Sequence, residues 1–169
     1  MQYFIGFHGI DLIQWCTGRR IKEVFALDVA KVNKKWNQKD CISILAKLDN
    51  GAIGTIQISF SLPENFPSIV RAALEIVYSK YSGYLEFMDS GIKFYGRNYE
   101  LPEVFLWPEV NDCTIGDLRS ELEHFAKAIL QGEKFLIKLD DIISAVNGIE
   151  AIFESLKTGK LIEVDKLNF

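Results

Sequence analysis

The sequence has few cysteines, the residues whose disulfide bonds stabilise many small or extracellular folds. Among 169 residues it has only three cysteines, Cys16, Cys41 and Cys113. Their odd number and wide spacing match neither a disulfide framework nor a zinc motif. We therefore expect three reduced thiols in a cytoplasmic protein, and no metal site.

The sequence also lacks an excess of positive charge and any long apolar run. Lysine and arginine total 19 against 23 acidic residues, for a net charge of −4. This balance argues against binding to nucleic acid or to an anionic membrane surface. No apolar run reaches the roughly 20 residues of a membrane-spanning helix, and no signal-peptide pattern opens the chain. With 49% hydrophobic and 25% charged residues, we expect one globular domain over residues 1–169.

Histidine is scarce as well, and one of the two histidines lies in a predicted helix over Gly6–Gly18. His8 and Asp11 are three residues apart, a spacing that places both side chains on one helical face. Gly18 is a typical helix stop. Taken alone, the pair favours a structural role, in which the carboxylate orients the imidazole or each group bonds nearby backbone. A functional role requires a cleft and a reaction that this segment does not supply by itself.

The middle of the chain is rich in predicted strands. A strand is expected over Arg20–Lys31, followed by a polar loop. Cys41–Leu48 and Ala52–Ser61 are predicted to form a hairpin around Asp49-Asn50-Gly51, with a type I′ turn because Asn-Gly tolerates positive φ. One face of this hairpin is expected to be buried and the other more polar.

A loop with two prolines and Phe66 follows at Leu62–Ser68. The later predicted strands are Ile69–Tyr78, Tyr84–Met88, Ile92–Tyr95, Tyr99–Trp107 and Lys160–Val164.

Two amphipathic helices are predicted near the end of the chain, at Ile115–Gln131 and Asp140–Thr158. Thr114 and Asp117 resemble a capping box at the start of the first of them. The order of helix, antiparallel strands and two helices predicts an α+β fold, in which helices cover one face of a largely antiparallel open sheet.

The helix around His8 carries a longer pattern, Gly-x-His-x-x-Asp-Leu-x-x-Trp-x-x-Gly. It resembles the opening of the C-terminal domain in the glucose–fructose oxidoreductase / inositol dehydrogenase / MocA family. The residues that carry this resemblance are Gly6, His8, Asp11, Leu12, Trp15 and Gly18. The segments 118–129 and 143–160 resemble two later helices of the same domain, in the same order.

The resemblance implies a glyceraldehyde-3-phosphate-dehydrogenase-like C-terminal fold from an NAD(P)-dependent oxidoreductase. Such enzymes act on sugars, polyols or sugar nucleotides by hydride transfer, and a separate Rossmann domain holds the nicotinamide cofactor. The resemblance implies that His8 is the catalytic base and that His8, Asp11 and Phe66 bind a carbohydrate-like substrate. It also implies a homo-oligomer, such as a homodimer, formed through the open face of the sheet.

Two departures from the family pattern limit these expectations. The aspartate that often precedes the histidine by four residues is Phe4 here, and no Gly-x-Gly-x-x-Gly follows a strand. We therefore expect the isolated chain to bind no cofactor and to be inactive, as a fragment of a longer enzyme. The alternative is a stand-alone, non-enzymatic module that dimerises or binds a partner through its sheet.

Overall fold

The computed structural model describes residues 2–36, 38–68, 70–87, 89–97, 99–102 and 104–164, with the backbone alone over residues 2–5. These residues form two compact units. The first combines Met1–Ser61 with Leu136–Phe169, and the second is Leu62–Phe135.

The helices and strands follow one another in this order: α1 (Gln2–Thr17), β1 (Ile21–Val29), a 3-10 turn (Asn33–Trp36), β2 (Cys41–Leu48), β3 (Ile53–Ser59), β4 (Ala73–Val77), β5 (Ser82–Glu86), β6 (Phe94–Tyr95), β7 (Tyr99–Glu100), β8 (Glu109–Val110), β9 (Cys113–Thr114), α2 (Asp117–Gln131), α3 (Leu139–Thr158) and β10 (Ile162–Glu163).

The first unit is a four-stranded antiparallel sheet in the order β10-β1-β2-β3, with α1 and α3 packed against it. Residues of β2 alternate between buried and exposed, as a strand with one covered face requires. Ile10 of α1, Val24 of β1 and Ile149 of α3 are at most 3% exposed and belong to one apolar core. The predicted α+β class with helices on one sheet face is confirmed.

The hairpin between β2 and β3 lies where the sequence predicts it, but its turn is of a different type. The Leu48 amide donates to the Ala52 carbonyl over 2.9 Å, and the Gly51 amide donates to the Leu48 carbonyl over 3.0 Å. Gly51 has a φ of 85°, whereas Asn50 is not in the positive-φ region. A type I′ turn needs positive φ at both central residues, so that prediction was wrong. The loop is a three-residue turn in which glycine alone takes the left-handed conformation.

The second unit contains three two-stranded antiparallel ladders, β4–β5, β6–β7 and β8–β9, and the helix α2. The strand predicted over Tyr99–Trp107 is reduced to two residues, and the one predicted over Ile69–Tyr78 begins at Ala73. Ile69 and Met88, the outer ends of two predicted strands, lie outside the described residues.

The predicted capping box of α2 was also wrong, because Thr114 lies in β9 and the helix is capped by Gly116. The amides of Asp117 and Leu118 donate to the carbonyls of Phe105 and Leu106 over 2.8 and 3.1 Å. Backbone carbonyls therefore satisfy the first two helical amides, and no side-chain cap is formed.

A buried carboxylate organises the loop between β1 and β2. Asp40 is 7% exposed, and its two oxygens accept backbone amides from Lys31, Val32 and Asn33 over 2.5, 2.9 and 2.7 Å. These hydrogen bonds stabilise the ionised form and hold the pKa of the Asp40 carboxyl below its ordinary 3.8. The loop is therefore built around a charge.

We predict that Asp40→Asn destabilises the fold at neutral pH, because one amide side chain cannot accept all three backbone donors. Since the folded pKa lies below the unfolded one, the contribution of Asp40 is complete above pH 3.8 and is lost as the pH falls below it. Urea unfolding of both proteins at several pH values tests this: the gap between them should shrink only under acidic conditions. Glu121→Gln, an exposed neutralisation on α2, is the control. A gap independent of pH would contradict the prediction.

Candidate functional site

Two glycines allow α1 to lie close to its neighbours and so fix the position of His8. A Cβ built on Gly9 would lie 2.7 Å from Cγ2 of Ile56 on β3, and one on Gly6 would lie 2.9 Å from Cδ1 of Ile149. Both distances are shorter than real Cβ contacts, so larger residues would push the helix away. With this side of α1 held against the core, His8 is exposed on the helix surface.

The predicted pair His8 and Asp11 lies on α1 in the expected helical register. His8 is exposed and Asp11 is half-buried. Their spacing of three residues places both side chains on one helical face, as the sequence predicts. The side chain of Phe4, at the position where the family often has aspartate, lies outside the described residues.

A cavity of about 480 Å³ begins at Asp11 and continues along the same side of α1. The α1 side of its wall is spaced by three and four residues, which is the repeat of one helical face. The whole lining is Asp11, Gln14, Trp15, Gly18, Arg19, Arg20, Leu136, Ile137 and Asp141. His8 lies one turn before Asp11, so the cavity lies along the same helical face as His8.

An ion pair between the Arg20 guanidinium and Asp141 closes one side of this cavity. The hydrogen bond from Arg20 holds the pKa of the Asp141 carboxyl below its ordinary value. These two residues are 121 positions apart, so no local pattern in the sequence could have indicated that they share a wall.

Gln14 contributes a buried amide to the same wall. It is 5% exposed, and its Oε1 accepts the Ile21 amide over 3.3 Å and the Ser144 hydroxyl over 2.7 Å. The backbone donor fixes which end of the side chain is oxygen. Within the described part of the chain, its Nε2 has no hydrogen-bond partner. A buried donor of this kind is unusual in a folded protein.

Phe66, the third predicted site residue, belongs to the second unit. It is half-buried and lines a separate cavity of about 620 Å³ together with Leu101, Leu106 and Trp107. That it contacts the same substrate as His8 stays a prediction.

The described residues do not fit a dinucleotide. The first amides of α2 already bond backbone carbonyls, and a Cβ on its cap Gly116 would lie 2.4 Å from the Phe105 carbonyl oxygen. The first turn of α3 carries Asp140 and Asp141, which would repel a pyrophosphate. Neither of these two helix starts offers the open, glycine-rich amides that bind such a group.

The described residues contain no group of three or more histidine, cysteine or acidic side chains placed to hold a metal ion. No helix among them is long and apolar enough to cross a membrane.

The segment that contains α1, β1, β2 and β3 matches a known domain family. Residues 1–82 match the family model of the GFO/IDH/MocA C-terminal domain. The resemblance indicated by the α1 motif is thus confirmed over residues 1–82. No curated protein matches the chain.

Solved structures with the same fold include GenD2 from gentamicin A biosynthesis in complex with NAD, at 19% identity and a TM-score of 0.80 over 95% of this chain. They also include a scyllo-inositol dehydrogenase from Lactobacillus casei with bound NAD(H) and scyllo-inositol, at 18% identity, a TM-score of 0.68 and 94% coverage. A putative oxidoreductase from Thermotoga maritima matches at 18% identity, a TM-score of 0.71 and 94% coverage. The chain spans only 47%, 46% and 45% of these proteins, respectively.

We predict that Gly9→Ala destabilises the protein by about 1–3 kcal/mol, because the new methyl group overpacks the contact between α1 and β3. The same change should alter the NMR environment of His8, which lies next to it on the displaced helix. Gly83→Ala is the matched control, since nothing lies within 4 Å of its Cβ position. Equal melting temperatures for the two variants would show that α1 does not need this close approach.

Proposed function

We propose that this chain is the substrate-binding and oligomerisation domain of an NAD(P)-dependent oxidoreductase acting on a sugar, polyol or sugar nucleotide. The observation that carries the proposal is the position of His8 and Asp11 on one exposed face of α1, within a fold shared with NAD-bound dehydrogenases. Cys16, Cys41 and Cys113 are thiols and not disulfides, which supports a reducing, cytoplasmic location.

His8 is proposed as the general base that removes a proton from a substrate hydroxyl. Its exposed position leaves the imidazole accessible to a substrate. Histidine is the side chain that enzymes use most often as a general base. Asp11, one turn further along the helix, would hydrogen-bond the substrate, and Phe66 in its own unit would contact it as well.

The nicotinamide cofactor, NAD or NADP, would be held by another domain, since the described residues of this chain do not fit a dinucleotide. The present chain would then supply the substrate contacts and the proton acceptor. Under this proposal the isolated 169-residue chain is inactive.

The outer face of the four-stranded sheet supports the proposed role in oligomerisation. Leu27 of β1 and Leu45 of β2 are 60% and 47% exposed, and with Phe25 they line a shallow groove of about 360 Å³. Apolar side chains grouped on an open sheet face are typical of an interface. We propose a homo-oligomer, in the simplest case a homodimer, formed through this face.

The same face favours the second candidate function, a non-enzymatic module that dimerises or binds a partner through its sheet. The two candidates differ in the native gene product. An immunoblot of the source cell with antibody to this domain should show a band heavier than 19.3 kDa by a domain of about 100–150 residues if the product is an oxidoreductase. A band at 19.3 kDa would favour the stand-alone module.

We predict that the immunopurified native product reduces NAD or NADP in the presence of a sugar or polyol. His8→Asn should lower kcat by about 10²–10⁴-fold, the usual contribution of a general base. His124→Asn, which changes the other histidine, is the matched control and should leave kcat unchanged. A heavier product without nicotinamide-dependent activity, or one insensitive to His8→Asn, would contradict the proposal.

We predict that Leu27→Lys weakens self-association at least about tenfold, because symmetry brings two new charges into one apolar interface. Sedimentation equilibrium at micromolar concentration measures the effect. Val77→Lys is the control. It places a charge on a 76% exposed residue of β4, which is not part of the four-stranded sheet. A wild-type chain that stays monomeric would overturn the proposed sheet interface.

A further inference from the structure

The cavity beside α1 contains two opposite charges that are not paired. Asp11 and Arg19 both line it, and within the described part of the chain neither side chain takes part in an ion pair or a hydrogen bond. The other two charged residues in the wall, Arg20 and Asp141, neutralise each other. The cavity therefore presents one available carboxylate and one available guanidinium.

The Asp11 end is suited to a cationic group. Trp15 follows Asp11 by four residues on the same helical face, and its side chain is 79% exposed at the cavity. An indole face attracts an ammonium group through cation–π interaction, and a neighbouring carboxylate adds charge attraction. Together they can hold an amine.

The Arg19 end is suited to an anionic group. A guanidinium offers several N–H donors in a planar fork that matches the two oxygens of a carboxylate. Gln14 lines the same wall, but its Nε2 is buried, so the guanidinium is the donor that the cavity offers to an anion.

The two charged ends of the cavity are separated. Asp11 lies on α1, whereas Arg19 follows the end of the helix at Thr17 and the left-handed Gly18. Their charged atoms lie beyond the 4.0 Å limit of an ion pair. Leu136 and Ile137, 80% and 61% exposed, provide apolar wall that a chain of methylene groups can contact.

We propose that this cavity binds a zwitterionic small molecule whose amine and carboxylate are joined by a short aliphatic chain, as in an ω-amino acid. A simple anion would leave Asp11 unpaired beside it, and a simple cation would leave Arg19 unpaired. A zwitterion satisfies both charges at once. The inference goes beyond the proposed dehydrogenase role and shares only Asp11 with it; its test measures binding to this domain alone, without cofactor or turnover.

The test is isothermal titration of the 169-residue chain with three matched probes: 6-aminohexanoate, hexanoate and hexylamine. We expect saturable one-site binding of 6-aminohexanoate, with the two single-charge probes at least about tenfold weaker. In two-dimensional NMR, the indole signal of Trp15, assigned through Trp15→Phe, should shift on addition of the zwitterion. Absence of saturable binding at millimolar concentration, or equal binding of a single-charge probe, would overturn the proposal.

Two variants test the contribution of each end of the cavity to binding. Asp11→Asn should weaken 6-aminohexanoate at least about tenfold without weakening hexanoate, and Arg19→Gln should weaken it similarly without weakening hexylamine. Glu121→Gln and Lys22→Gln remove the same charges at exposed positions outside the cavity and should change nothing. Thermal melting verifies that each variant is folded. If the controls weaken binding as much as the cavity variants, the attraction is general and the site is refuted.

Discussion

The close packing of α1 against the sheet and α3 is the constraint on which the first unit depends. It requires Gly6 and Gly9 on one helix, and Gly148 on the other, where a Cβ would lie 3.0 Å from Cδ1 of Ile10. Ile10 itself is fully buried between these elements. Because the helix is held so firmly on one side, its other side presents His8 and the cavity residues in a fixed register. The same contact therefore supports both the core and the candidate site.

Many helices and strands of the fold could be predicted from the sequence, because they depend on patterns of neighbouring residues. The alternation of β2 and the positions of the glycine stops after α1, α2 and α3 follow directly from strand and helix periodicity. The helical register of His8 and Asp11 also needs only a spacing of three residues. Two predictions of local backbone structure were wrong: the type I′ turn at Asn50 and Gly51, and the capping box at Thr114. In both places, hydrogen bonds to the backbone decided the conformation, and residue preference did not.

The cavity could not have been predicted, for a different physical reason. Its wall combines the end of α1 with residues 136–141, which the sheet brings together only after the chain has folded. The pairing of Arg20 with Asp141 and the orphaned amide of Gln14 are properties of that packing. The sequence motif directed attention to His8 and Asp11. The chemically unusual groups nearby became apparent only from three-dimensional contacts.

The first unit is assembled from the two ends of the chain, and this has a consequence for its biosynthesis. β1 pairs with β10 at Ile162 and Glu163, and Ser155 of α3 accepts the Ala26 amide over 2.9 Å. During translation, residues 1–61 emerge long before α3 and β10 exist. Until then the apolar face of the sheet is only partly covered and one edge of β1 is open, a situation that favours aggregation and chaperone binding. Folding of this unit therefore cannot be completed before β10 has been synthesised, and it depends on contacts between residues far apart in the chain.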